Sequence, residues 1–215
     1  MIGIKGFKDN MKKKRIASIV MIFVIALLTI ACSNTKNTVP IDKGEVKDTE
    51  KAKTNLEEKV LVVYFSPTGT TRKIAENAAE VLSADIYEIV PEKPYSEEDL
   101  NYNTNCRANK EQEDPLSRPK MMDRPINMGQ YDTVVIGYPI WHGQAPKILY
   151  TFLESHDFSD KIIIPFCTSH SSSIGTSAIN LQSLTSDTSI WLDGYRFNGT
   201  ESKEEIRNWL SKVMQ

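Results

Sequence analysis

The chain has 215 residues, of which 40% are apolar, and its formal net charge at pH 7 is −2. This length predicts one domain of ordinary size or at most two small ones. Residues 1–31 hold six Lys and Arg residues and one acid, which leaves 20 basic and 27 acidic residues from Cys32 onward, and an acidic body of this kind argues against a nucleic-acid partner.

The first 31 residues have the pattern of an export signal. Basic residues at 12–15 precede an apolar run at 16–30, which has the length of a signal peptide's apolar region and is shorter than a membrane-spanning helix. The run ends at Ala31 and Cys32, and this junction resembles a bacterial lipoprotein signal. The resemblance implies that residues 1–31 are removed and that a lipidated Cys32 anchors the protein on the extracytoplasmic side of the bacterial cell envelope. An uncleaved N-terminal anchor helix is the alternative, and it also keeps the body at the membrane surface.

A polar segment and then an alternating pattern follow Cys32. Residues 32–57 are rich in Ser, Asn, Thr, Lys, Glu and Asp, which predicts a flexible linker ahead of a domain over residues 58–215. Within that domain short apolar runs alternate with amphipathic segments, which indicates an α/β fold with a parallel sheet covered on both faces. The predicted strands are 60–65, 85–90, 133–138, 161–166 and 189–192, and the predicted helices are 71–82, 102–113, 146–155, 173–184 and 202–213.

The loop after the first predicted strand combines hydroxyl side chains with one glycine ahead of a helix. Backbone N–H groups at a helix N-terminus attract phosphate. The loop contains neither the Gly-x-Gly-x-x-Gly pattern of dinucleotide sites nor the Gly-Lys-Ser/Thr of the triphosphate P-loop. It therefore predicts a site for the terminal phosphate of a mononucleotide, and an ordinary strand–turn–helix with a threonine cap is the alternative. The candidate ligands are Ser66, Thr68, Gly69, Thr70 and Thr71.

This segment resembles the phosphate-loop signature of flavodoxins. The signature is an aliphatic pair and an aromatic residue followed by Ser-x-x-Gly-x-Thr-x-x-x-Ala, and it is filled here by Val62, Val63, Tyr64, Ser66, Gly69, Thr71 and Ala75. The aliphatic residue that usually ends it is replaced by Ala78. The resemblance implies FMN as cofactor and a doubly wound, five-stranded parallel sheet in the order 2-1-3-4-5. In such a sheet the ligand lies beyond the carboxyl ends of the strands.

Two further loops follow the third and fourth predicted strands and would lie at the same edge of the sheet. Trp141 lies in a Pro-x-Trp turn, where its flat indole can stack on a flat ring, although a lone Trp commonly packs in the core. The other loop is dense in small hydroxyl side chains that can bind the polar edge of a flavin, although it could also be a solvated serine-rich loop. The candidate ring-binding residues are Pro139, Ile140, Trp141, His142 and Gly143 in the first loop, and Thr168, Ser169, His170, Ser173 and Gly175 in the second.

Other features point less clearly to a function. His142 and His170 could change charge between pH 5 and 8 and so tune a bound flavin. Cys106 and Cys167 give little indication of a disulfide, and no cysteine or histidine spacing predicts a metal site. Residues 93–129 are rich in prolines and charges, which is consistent with a lid-like or edge segment around one helix, or with surface padding.

Three functions fit these observations. The first is an electron-transfer flavoprotein on the cell surface that delivers electrons to a redox partner protein or a small-molecule acceptor. The second is an NAD(P)H-dependent reductase of quinones or other small molecules, for which no catalytic residue is identified. The third is a lipoprotein scaffold without redox activity, because a fold by itself does not fix a function. A yellow colour would argue against the third, and NADPH oxidation with and without quinone would separate the first two.

Overall fold

A parallel sheet organises residues 58–215, the part of the chain that this computed structural model describes. The predicted signal peptide, lipidated Cys32 and linker lie outside the described residues. No helix within 58–215 is long and apolar enough to cross a membrane.

The sheet has the predicted strand order. The strands are β1 (Val60–Tyr64), β2 (Asp85–Glu88), β3 (Thr133–Pro139), β4 (Ile162–Thr168), β5 (Ile190–Trp191) and β6 (Tyr195–Phe197). Their order is β2-β1-β3-β4-β5, all neighbouring pairs are parallel, and the short β6 pairs with β4. The prediction of a flavodoxin-like order is therefore confirmed.

Helices cover both faces of the sheet, because alternate side chains of each central strand point to opposite faces and both sets are apolar. In β1, Leu61 and Val63 belong to one core cluster, whereas Val62 and Tyr64 belong to the other. The first cluster includes residues of the third and fourth helices, and the second includes residues of the first and fifth. The helices are α1 (Thr70–Leu82), α2 (Arg107–Glu113), α3 (Lys147–Glu154), α4 (Ser177–Gln182) and α5 (Lys203–Val213).

The sixth strand, which the sequence reading did not predict, follows from a proline inside β4. The N–H of Leu192 donates to the Ile163 carbonyl at 2.9 Å. Because backbone groups alternate between the two neighbours of a strand, Pro165 faces this same side and has no N–H to offer. The edge strand is interrupted beside it at Gly194, where a Cβ would lie 3.1 Å from Pro165 Cγ, and pairing resumes in β6.

Two helices begin four or more residues later than predicted. α2 begins at Arg107 rather than near residue 102, because Asn101 and Thr104 form a turn in which the Thr104 N–H donates to the Asn101 carbonyl at 3.0 Å. α4 begins at Ser177 rather than 173, because Gly175 has a φ of +52°, which lies outside the helical region.

Candidate functional site

The loops after β1, β3 and β4 border one cleft at the carboxyl edge of the sheet. Its volume of about 620 Å³ lies in the range usual for small-molecule sites. A fourth segment, which includes the start of α2, completes the wall. The cleft is lined by Pro67, Thr68, Leu100, Tyr102, Ala108, Asn109, Pro139, Ile140, Trp141, His142, Ser171 and Ser172. A larger groove of about 890 Å³ along β5, β6 and α5 shares none of these residues.

The loop between β1 and α1 brings unpaired donors to the start of a helix. Gly69 precedes α1 with a φ of +86°, a left-handed conformation that favours glycine, and its position provides no side-chain cap for the helix. The Ser66 side chain is only 6% exposed, and its hydroxyl has no hydrogen-bond partner in the described part of the chain. A buried hydroxyl without a partner costs about 1–3 kcal/mol. An acceptor bound at this loop would remove that cost.

Two buried threonines join this loop to the end of β4. Thr71 Oγ1 and Thr168 Oγ1 lie 2.7 Å apart and share one hydrogen bond. Only one of their two hydroxyl hydrogens lies between the oxygens, and within residues 58–215 neither hydroxyl makes a second hydrogen bond. The remaining hydrogen is therefore available to an acceptor at the same loop.

The other two threonines of the loop are exposed and have different surroundings. Thr68 lines the cleft. Thr70 lies against the loop that follows β6, where a Cβ at Gly199 would be 2.4 Å from Thr70 Cγ2. Gly199 has a φ of +97°, so it supplies both the backbone conformation and the space that this contact requires.

The loop after β3 holds Trp141 at the boundary between the core and the cleft. The backbones of Trp141 and Gln144 exchange two hydrogen bonds of 2.9 Å, and the two residues between them have positive φ angles of +49° at His142 and +73° at Gly143. This is the conformation of a type I′ turn. The indole packs edge-on against Phe65, with ring centroids 5.6 Å apart, and it is half-buried. The indole is thus held in place while part of it lines the cleft.

Helix α2 is bound to this loop by side-chain amides, a feature that the sequence reading missed. Gln112 Nε2 donates to the carbonyls of Trp141 at 3.1 Å and Ala145 at 3.2 Å, and Gln112 Oε1 accepts from the Lys147 N–H at 3.0 Å. One turn earlier, Asn109 Oδ1 lies 2.7 Å from His142 Nε2. The spacing of 109 and 112 places both amides on one helix face, and that spacing is the only signal the sequence offers.

The loop after β4 is fixed mainly through its backbone. Ser169 N–H donates to the Phe197 carbonyl at 3.0 Å, and Arg196 donates to the Ser169 carbonyl at 3.1 Å. Ser169 Oγ accepts from the Ser172 N–H at 2.9 Å, which places Ser171 and Ser172 on the cleft. None of the residues predicted in this loop lines the cleft: Thr168 is buried, Ser169 is half-buried, and His170, Ser173 and Gly175 are exposed. Gly143 in the loop after β3 is also exposed and does not line it.

Two groups near the site stay neutral. Burial, and then the hydrogen bond to Glu111, raise the pKa of Tyr95 above its ordinary value, and the Arg107 guanidinium lies 4.1 Å from the centre of the Tyr95 ring. Burial raises the pKa of Cys167 to about 12, so its thiol is not an activated nucleophile.

Cys106 and Cys167 are both free, and residues 58–215 contain no cluster of three or more His, Cys, Asp or Glu side chains that could hold a metal ion.

Comparisons with known proteins agree with this architecture. A family model described as Flavodoxin matches residues 59–213. A protein of Bacteroides eggerthii that is provisionally assigned as a flavoprotein is 40% identical, with a TM-score of 0.68, over 73% of this chain and 98% of that chain. A protein of Bacteroides uniformis with the same provisional assignment is also 40% identical, with a TM-score of 0.68, over 72% and 98%. A flavoprotein of Lactobacillus acidophilus in complex with FMN shares the fold at 20% identity and a TM-score of 0.56, over 74% and 99%. No curated protein matches the chain.

The position of Gln112 gives a testable expectation for stability. Gln112→Ala removes three hydrogen bonds and leaves two carbonyls without their donor, so the free energy of unfolding should fall by about 1–3 kcal/mol. Urea unfolding of the variant and the parent would measure this change. Gln182→Ala, at an exposed glutamine of α4, is the matched control and should change stability little. Equal effects of the two substitutions would contradict the role given to Gln112.

Proposed function

This chain belongs to the flavodoxin family, and we propose that it binds FMN noncovalently and transfers electrons at the cell surface. Two relatives that are 40% identical to it are provisionally assigned as flavoproteins, which supports a flavin. When bound, FMN supplies the redox chemistry, and the protein binds, orients and electrostatically tunes it.

The unpaired hydroxyl of Ser66 is the main reason for proposing FMN and not riboflavin as the ligand. A phosphate has several strong acceptor oxygens, and the loop offers Ser66, the free hydrogen of the Thr71–Thr168 pair and the N-terminal N–H groups of α1. The partial positive charge of a helix N-terminus favours the phosphate's negative charge. Riboflavin has no phosphate and leaves these donors unpaired.

The cleft next to this loop supports a place for the flavin ring. Trp141 offers a half-buried indole, and Pro139 and Ile140 add apolar surface. Backbone and hydroxyl groups of Ser171 and Ser172 lie on the same cleft and suit the polar edge of the ring. This division between an apolar face and a polar edge fits a flat heteroaromatic ligand.

Ser66→Ala should separate binding from stability. It removes a hydrogen bond to a charged phosphate, worth about 1.5–3 kcal/mol, so the Kd for FMN should rise about ten-fold or more while the Kd for riboflavin stays unchanged. The free energy of unfolding of the apoprotein should stay the same or increase, because the substitution deletes an unpaired buried hydroxyl. Flavin titrations and urea unfolding would measure both effects.

Ser177→Ala is the matched control for this experiment. Ser177 is also buried, but its hydroxyl is hydrogen-bonded to Tyr138 at 3.0 Å and to the Ile174 carbonyl at 2.6 Å. This substitution should lower stability and leave the ratio of the two flavin affinities unchanged. If the parent binds riboflavin as tightly as FMN, the phosphate site is wrongly assigned.

Family membership supports electron transfer as the activity, with a partner protein or a small-molecule acceptor receiving the electrons. Under anaerobic conditions the FMN-loaded protein should be reduced by dithionite but should consume NAD(P)H no faster than free FMN, with or without a quinone. Absorbance at the flavin and nicotinamide bands would follow both reactions. Rapid NAD(P)H consumption that depends on quinone would instead identify a reductase, and a protein that binds no flavin would be a scaffold.

The location at the cell surface is proposed from the sequence of residues 1–32. Mass spectrometry of the protein extracted from membranes should show a chain that begins at a lipidated Cys32. Acyl chains contribute about 0.8 kcal/mol per buried CH₂, so Cys32→Ala should release the domain from the membrane fraction, whereas Cys106→Ala should not. A membrane-bound chain that retains Met1 or Met11 with unmodified Cys32 would refute lipidation.

A further inference from the structure

We infer that Tyr102, which lies outside the three ligand loops, is a further residue that contacts the flavin ring. The inference rests on the proposed function. Tyr102 lines the same cleft as Trp141, yet the residue is 75% exposed. The loop after β4 contains no aromatic residue between 167 and 189. Among the residues that line the cleft, Tyr102 and Trp141 are the ones with a phenol or an indole ring.

The backbone around Tyr102 is held in one conformation. The N–H of Tyr102 donates to the Leu100 carbonyl at 2.9 Å, and the Thr104 N–H donates to the Asn101 carbonyl at 3.0 Å. Asn109 Nδ2 donates to the Tyr102 carbonyl at 3.0 Å and to the Thr104 carbonyl at 2.7 Å. Hydrogen bonds on both sides of Tyr102 thus fix where its side chain leaves the main chain.

Asn109 also connects Tyr102 to the loop that carries Trp141. Because both N–H groups of Asn109 Nδ2 donate to carbonyls, Oδ1 is the acceptor that faces His142 Nε2, and this ring nitrogen must carry the proton. Asn109 is only 8% exposed, so the residue that makes these hydrogen bonds is itself held inside the protein. A single amide therefore positions Tyr102 relative to the turn at 141–144.

A phenol ring at this place fits one class of ligand. Aromatic rings attract flat rings through dispersion and quadrupole interactions, and the isoalloxazine of a flavin is such a ring. The Tyr102 ring is free for such a contact, because the residue is mostly exposed and belongs to neither core cluster. Because Tyr102 would contact the ring and not the phosphate, its substitution should change the affinities for FMN and riboflavin alike. Substitution of Ser66 should change the affinity for FMN alone.

The test is to titrate FMN and riboflavin into the parent and Tyr102→Ala. The Kd of both flavins should rise by the same factor, about three- to ten-fold, because the lost contact is to the ring that they share. Tyr102→Phe keeps the ring and should keep the affinity. Leu116→Ala removes an apolar side chain that is 82% exposed and does not line the cleft, and it should change neither Kd.

A double-mutant cycle tests the positioning role of Asn109. Asn109→Asp retains an oxygen that can accept a hydrogen bond from His142 but loses both N–H donors to the carbonyls of Tyr102 and Thr104. Introduced into the parent, it should therefore lower the affinity for both flavins. The same substitution should have a smaller effect in the Tyr102→Ala background, whereas a purely structural effect would be equal in both backgrounds.

The outcomes separate the two proposals. If the parent binds FMN and Tyr102→Ala binds both flavins as tightly as the parent, this inference is wrong and the proposed function stands. A change in FMN affinity without a change in riboflavin affinity also overturns it. If the parent binds neither flavin, the proposed function fails and this inference fails with it.

Discussion

The hydrogen bond between the hydroxyls of Thr71 and Thr168 determines how the site is assembled. It ties the first turn of α1 to the end of β4, although the strand that precedes α1 and β4 are not neighbours in the sheet: β3 lies between them. The bond therefore joins the loop proposed for the phosphate to the loop proposed for the ring's polar edge. Because both threonines are buried, the bond is protected from competition with water.

The strand between them carries a glycine over which an aromatic ring of β4 packs. Gly137 in β3 lies in register between Tyr64 of β1 and Phe166 of β4. A Cβ at Gly137 would be 2.1 Å from Phe166 Cζ, so the ring of Phe166 occupies the space that any other residue's side chain would fill. Packing on the face that α1 and α5 cover thus depends on a missing side chain in the central strand.

The sequence predicted the parts of the fold that depend on local pattern. Buried runs and their alternation with helices indicated a parallel α/β sheet, because each of these signals lies within a few residues. The strand order came from the resemblance of the hydroxyl loop after Tyr64 to the flavodoxin signature. The sequence did not predict β6, since the effect of Pro165 on its neighbour appears only when the strands are paired. The contacts of Asn109 and Gln112 with the loop at 141–147 could not be predicted either, because these partners lie about 30 residues away along the chain.

Two residues that break local rules lie at the cleft or next to it: His142 lines the cleft, and Ser66 precedes Pro67, which also lines it. Ser66 buries a hydroxyl without a partner, and His142 adopts a φ of +49° without being glycine. Each departure costs about 1–3 kcal/mol. The cost at His142 is offset within the protein by its hydrogen bond to Asn109. The cost at Ser66 is not offset by any hydrogen bond within the described residues. Under the proposed function, the free energy released when a phosphate pairs with this hydroxyl adds to the affinity for the ligand.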